Sequence, residues 1–321
     1  MYQNEIEQLK SFNGTIAPNL VTLLTTFKHQ DKRHFLFPWA TCDLFSYWDT
    51  EQTQPRMLEN ARWFSKQIVG LVEAVSAIHW PLHMEHRYGR HGDLKPDNIL
   101  WFKPYKKDPK GILVVSDMGF TVAHSTYSRS KDAPGKVAHF TPEYRPPELD
   151  TETGFVSRKY DVWTLGCIFL EMVIWFLGGK EERDQFRADR RSVEQKYGTS
   201  IFTFFALVSR GSELQAHVKQ SVFDHMEKIR QHAYKSQFTH DIVNIIQNHM
   251  ILVDPGERAD IRSLQKEFAK INDKCQKDTN YSKMATPSNS VLEQDTQGNY
   301  TWLCPSRSMC SACLGASNTD E

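Results

Sequence analysis

The sequence predicts an α+β fold. Helical periodicity runs over residues 57–80, short apolar runs of β type come in adjacent pairs on either side of it, and from Tyr160 onward the pattern is mostly helical. A small β-containing part followed by a larger helical part satisfies all three observations.

Taken in order, residues 3–12 read as a short helix with Ile6, Leu9 and Phe12 on one side. "NLVTLLTTF" (19–27) and "RHFLFPW" (33–39) read as two strands joined by the polar turn "KHQDK". "DLFSYW" follows as a short helix. In 57–80, Leu58, Ala61, Phe64, Ile68, Leu71, Val72, Val75 and Ile78 form one apolar stripe. "NILWF" (98–102) and "ILVVSD" (112–117) read as two further strands linked by a lysine-rich connection. Residues 121–140 read as a loop, and the prolines of "TPEYRPPE" exclude a helix there. Residues 276–321 are polar and read as a disordered tail.

The 321 residues carry 39 acidic and 39 basic side chains. That balance argues against an electrostatic nucleic-acid binder or a membrane-surface binder. The most apolar run, "LGCIFLEMVIWFL" (165–177), is short for a bilayer and contains Glu171, which predicts a buried core helix. The N-terminus has no apolar signal core, and six cysteines show no disulfide-scaffold spacing. An intracellular protein, cytoplasmic or nuclear, is expected. His79, His83, His86 and His91 lie close together, but their irregular spacing is a weak metal-ligand pattern, and His91 is expected in the core beside Met118. In the tail, Cys304, Cys310 and Cys313 lack a nearby fourth ligand unless Cys275 joins them.

The chemistry concentrates in "YGRHGDLKPDNILW" (88–101). Phosphoryl transfer needs a carboxylate to orient a hydroxyl, a cation to meet the moving group, and hard oxygen ligands for magnesium. Asp93, Lys95, Asn98 and Asp117 supply that set.

With those residues in view, the chain resembles a eukaryotic protein kinase over residues 4 to 272. "HGDLKPDN" (91–98) resembles the catalytic loop, and the resemblance implies Asp93 as base, Lys95 on the γ-phosphate and Asn98 on magnesium. "SDMGF" (116–120) resembles the metal-binding motif, with Asp117 as the second magnesium ligand. "FTPEYRPPE" (140–148) resembles the close of the activation segment. There Thr141 implies serine/threonine chemistry, and Glu148 would pair with Arg258 of "DPGERADIRSL". "YDVWTLGCIFLEM" (160–172) resembles the central helix of the large lobe, where Asp161 would hold the catalytic-loop backbone. "FLFPWATCDLFSYW" (35–48) resembles the hinge, with Leu36 as gatekeeper, Phe37 and Trp39 offering backbone groups to adenine, Asp43 reaching the ribose and Leu100 under the ring. "NEIEQLK" resembles the regulatory helix, with Glu5 as its glutamate. "YGRHGDLKPDNILWF" also resembles a group of filamentous-fungal kinases.

The resemblance implies a kinase-like fold in three segments: 1–40 as part of a small lobe, 41–275 as the helical lobe, and 276–321 as tail. It also implies ATP and Mg2+ as cofactors and a protein substrate. Three departures from the family pattern stand out. Gly92 replaces an arginine that pairs with activation-segment phosphate, and Met118 replaces a phenylalanine whose slot it can fill. No glycine-rich loop or lysine strand precedes Glu5 in the sequence as given. Losing about 3–4 kcal/mol of transition-state stabilisation slows a reaction by roughly two to three orders of magnitude. A weak or inactive kinase is therefore expected of the chain as written, or a shortened version of a longer coding sequence. A pseudokinase acting as a scaffold is the alternative.

Overall fold

The computed structural model describes residues 17–51, 57–81, 87–104, 110–117, 124–125, 142–151, 156–193, 200–210, 213–283, 291–294 and 300–303. Glu5, Met118, Thr141, His83, His86, the helix expected at 3–12, most of the loop at 121–140 and the three tail cysteines lie outside the described residues.

The first hairpin pairs β1 (Thr25–His29) with β2 (Lys32–Leu36). Gln30 and Asp31 both adopt positive φ, 46° and 59°, as a two-residue hairpin turn requires. The strands therefore close more tightly than the five-residue turn expected. The first strand is also shorter than expected. Leu20, Val21 and Leu23 are buried, and the chain before Thr25 docks on a different sheet through Val21 N–H to Val115 O (2.9 Å) and Val115 N–H to Asn19 O (2.7 Å). Leu24, Phe27 and Leu36 remain exposed on the hairpin.

A three-stranded antiparallel sheet follows, in the order β3 (Cys42–Asp43), β5 (Ile99–Phe102), β6 (Ile112–Val115). Helix α1 (Leu44–Thr50) starts at Asp43, whose carboxylate accepts the Ser46 N–H at 2.7 Å. Helix α2 (Leu58–His79) buries the predicted stripe, and Leu71, Val72 and Val75 are wholly inaccessible. Each such side chain contributes about 1.5–3 kcal/mol of hydrophobic stabilisation. The short strands β4 (Arg87–Tyr88) and β7 (His124–Ser125) pair with each other.

Helix α3 (Lys159–Asp189) is the centre of the protein, with Tyr160 through Leu177 buried without interruption. Among the described residues it alone is long and apolar enough to cross a membrane by composition, yet 89% of its most apolar window is buried inside the protein. Glu171 within that run is engaged by Tyr144 and Arg190. The helix bends at Gly179, where φ is 74° and ψ −162°.

Two strand pairs interrupt the mostly helical part expected after Tyr160. The strands β8 (Ser192–Val193) and β9 (Ser200–Ile201) pair, and β10 (Phe205–Arg210) forms a six-residue ladder with β11 (Glu213–Val218). The alternation in "FALVSR" and "ELQAHV" was the available signal. Helices α4 (Gln220–Gln231), α5 (Gln237–Ile245) with a π turn over Ile246–Met250, and α6 (Ile261–Lys277) complete the helical part.

"TPEYRPPE" also needs a correction. Pro147–Leu149 forms one 3-10 turn, which tolerates Pro147 because the first helical N–H has no partner to lose. Residues 276–283, expected in the disordered tail, instead extend the helical part. Gln276 continues α6 and donates to Arg62 O at 3.0 Å, and α7 (Thr279–Ser282) buries Tyr281, whose hydroxyl donates to Asp241 at 2.8 Å. Farther on, β12 (Val291–Gln294) pairs with β13 (Tyr300–Leu303).

Candidate active site

The candidate site is built on the segment from Arg90 to Asn98, held by side chains from three elements. Arg90, buried, donates to Val156 O at 2.8 Å. His91, also buried, donates from Nε2 to Ser116 O at 2.8 Å, and its Nδ1 accepts the Asp93 N–H at 3.3 Å. These two bonds fix the ring orientation and tie the segment to the end of β6.

Asp161, at the start of α3, holds the same backbone from the other side. Its carboxylate accepts the N–H of His91 (2.8 Å), the N–H of Gly92 (2.9 Å) and Nε2 of His79 (2.8 Å). Burial alone would raise the Asp161 pKa, but the His79 hydrogen bond and the Gly92 amide outweigh it, and the carboxyl sits below its ordinary value. Gly92 takes φ 82°, a conformation open to glycine and strained for other residues.

Three of the predicted chemical residues come together here. The Asp93 carboxylate lies 2.9 Å from Lys95 Nζ. Asn98 Nδ2 donates to Asp93 O at 2.8 Å and to the Asp93 carboxylate at 3.2 Å. Lys95 precedes a 3-10 turn over Pro96–Asn98, which turns the Asn98 side chain back toward Asp93. The amide bonds orient Asn98 so that its Oδ1 is the remaining oxygen donor. Both Asp93 and Asn98 are buried, so their mutual electrostatics are little screened.

Asp117 is brought to the same edge by the β5–β6 pairing. Ile99 faces Val115 in register, and Ser116 N–H donates to Asn98 O at 2.9 Å. Asp117 therefore follows directly after the residue bonded to Asn98. It is exposed and has a positive φ of 59°, which short acidic side chains tolerate. Hard oxygen donors, a carboxylate and an amide, suit magnesium.

The expected adenine-side residues spread differently. Asp43 and Leu100 stand opposite each other in the β3–β5 ladder. Asp43 already caps α1, a second role that the sequence reading did not assign, although an aspartate before an apolar helical run was its signal. Leu36 and Phe37 are exposed, and Trp39 is 95% exposed. Farther off, Arg258 Nη1 and Nη2 bond the two Glu148 oxygens at 2.8 and 2.7 Å, with both side chains buried.

Sequence reasoning missed other participants. Of the clustered histidines, His79 bonds Asp161 and His91 bonds Ser116 O. Among the described residues no group of three or more His, Cys, Asp or Glu side chains is arranged to hold a metal ion. Glu143, which is half-buried, and the buried Tyr144, Glu171 and Arg190 form a polar network at the other end of the segment that carries Glu148.

A family model described as the protein kinase domain matches residues 1–268. The chain belongs to the protein kinase family. It is 29% identical over 170 residues to cyclin-dependent kinase 1 of Encephalitozoon cuniculi (strain GB-M1), covering 52% of this chain and 51% of that protein. It is also 29% identical over 172 residues to cyclin-dependent kinase 8 of Caenorhabditis briggsae, covering 52% of this chain and 27% of that protein. The chain thus spans about half the length of the first relative and about a quarter of the second. Kinases of this family in general use ATP with magnesium and act on protein substrates.

Proposed function

We propose that this chain is a serine/threonine protein kinase domain that moves the γ-phosphate of ATP to a protein hydroxyl. The observation that carries the reading is the Asp93 carboxylate, 2.9 Å from Lys95 Nζ and 3.2 Å from Asn98 Nδ2, on a backbone clamped by Asp161. Asp93 orients the substrate hydroxyl and accepts its proton. Lys95 lies beside that carboxylate and offsets negative charge on the transferred group. Asn98 and Asp117 would hold magnesium, which neutralises phosphate charge when bound. Thr141 favours serine and threonine over tyrosine as acceptors, on the strength of the family resemblance of "TPEY".

The direct test is phosphate transfer to serine, threonine and tyrosine peptides by the full chain. Asp93→Asn should lower transfer by about 10²–10⁴-fold without changing the melting temperature. Transfer to tyrosine alone, or transfer undiminished by Asp93→Asn, would overturn the reading.

A second reading is a binding module that keeps the fold without transferring phosphate. The exposure of Leu36, Phe37 and Trp39 favours it, because apolar groups at the adenine side face water. A melting-temperature rise with ATP·Mg that Asp117→Ala abolishes, together with no transfer, would select this reading.

A further inference from the structure

The segment from Pro142 to Thr151 has one short 3-10 turn and no ladder of its own, so side chains must hold it. Its far end is held to the helical part by Glu148 with Arg258, and Arg145 with Asp150 (2.8 Å) braces the segment internally. The near end, adjoining Thr141, is held differently. Arg190 Nη2 donates to Glu143 Oε1 at 2.9 Å and to Glu171 Oε1 at 2.7 Å, and Tyr144 donates its hydroxyl to Glu171 Oε2 at 2.7 Å. One guanidinium thus joins two carboxylates that would otherwise repel each other.

Arg190 is itself immobilised. It is wholly buried, with its guanidinium packed against both Phe186 (4.2 Å to the ring centre) and Phe204 (3.8 Å). Its carbonyl accepts from Lys219 Nζ at 2.6 Å. Arg187 adds a weaker contact, with Nε at 3.2 Å from both Glu143 oxygens.

We infer that Arg190 is a positioning residue that fixes the Glu143–Tyr144 step, and through it the peptide-facing end of this segment. The inference rests on the kinase reading for its effect on substrate, but the anchoring itself does not depend on that reading. Removing the guanidinium leaves Glu143 and Glu171 facing each other in a buried setting, and the near end of the segment detaches from α3 while the far end stays on Arg258.

The experiment uses the full chain and has two arms. Backbone hydrogen exchange across residues 143–150 is compared for wild type, Arg190→Met, Arg190→Lys and Glu143→Gln. Exchange at the near end should accelerate about tenfold or more in Arg190→Met, less in Glu143→Gln, with α2 and α6 unchanged. In the kinetic arm, Arg190→Met should raise the peptide KM about tenfold, leave the ATP KM unchanged and alter kcat little, and Arg190→Lys should recover part of the loss. If Arg190→Met fails to fold, Glu143→Gln decides, since it leaves the Arg190–Glu171 contact in place. Wild-type exchange at 143–145 in the folded variants overturns the inference. So does kcat falling with the peptide KM unchanged. A wild type that transfers no phosphate sinks the kinase reading alone, and the exchange arm still decides the anchoring.

Discussion

Asp161 accepts the main-chain N–H of Gly92 at 2.9 Å through one carboxylate oxygen, while the other takes the N–H of His91 and Nε2 of His79, both at 2.8 Å. One buried side chain therefore fixes two successive peptide groups beside Asp93. Asp161→Ala should destabilise the fold by about 3–5 kcal/mol, because it strands buried donors and removes a buried charge partner. Urea unfolding monitored by circular dichroism measures this. The folded-state pKa of Asp161 is depressed, so its contribution is fully present above the ordinary value of 3.8 and is lost as pH falls through the lower folded value. Wild-type stability should fall on acidification below about pH 4, with the Asp161→Asn difference shrinking there.

Gly92 at φ 82° sets the second prediction. Gly92→Ala forces a β-carbon into a left-handed conformation and should cost about 1–2 kcal/mol. The measurement is the shift in denaturation midpoint at unchanged slope.

The absence of an arginine at position 92 sets a third. Alanine at Ser125, Thr126, Tyr127 and Ser128 together should leave the transfer rate of the full chain unchanged, because a phosphate there has no partner at residue 92. Loss of activity in the quadruple variant would contradict this.

The Glu148–Arg258 pair supports a fourth. Arg258→Met should cost about 3–5 kcal/mol, since it leaves a buried carboxylate unpaired, whereas replacing both partners with apolar residues should cost less than the sum of the single changes. A double-mutant cycle in urea separates the two.

The end of α6 supports a fifth. Ending the chain after Cys275 removes Gln276 from Arg62 and Tyr281 from Asp241, and should lower stability by roughly 2–4 kcal/mol. A chain ending after Lys283 retains both contacts. Tyr281→Phe alone should cost about 1–2 kcal/mol.

Much of this fold is written in local patterns. The stripe of α2 and the apolar runs of β5 and β6 repeat at the period of their elements, so each could be placed without knowing its neighbours. Residues 19–24 have the apolar density of a strand, but Leu20, Val21 and Leu23 are buried and the backbone there bonds to Val115 of β6, so that density reflects docking rather than hairpin pairing. The helical part reaches past residue 276 because α7 is anchored by the buried Tyr281, a signal that a composition window averages away. In the candidate site, Asp93, Lys95 and Asn98 were legible because they sit within six residues. Arg190 was not. It lies in the charged run "DQFRADRRS", which reads as a solvated face, and its two carboxylates are supplied by distant parts of the chain.

Gly179 gives α3 a joint. Its φ of 74° and ψ of −162° lie in a region that, among the common residues, essentially glycine alone occupies. Any side chain there would favour a straight rod, and the basic residues at the rod's far end would swing off the Glu143 carboxylate. The reach of Arg187 and Arg190 is thus decided by the handedness of one peptide unit eleven residues upstream of the second arginine. Tuning the curvature of α3 at that single point would adjust how firmly the segment after Thr141 is gripped, while every contacting side chain stayed the same.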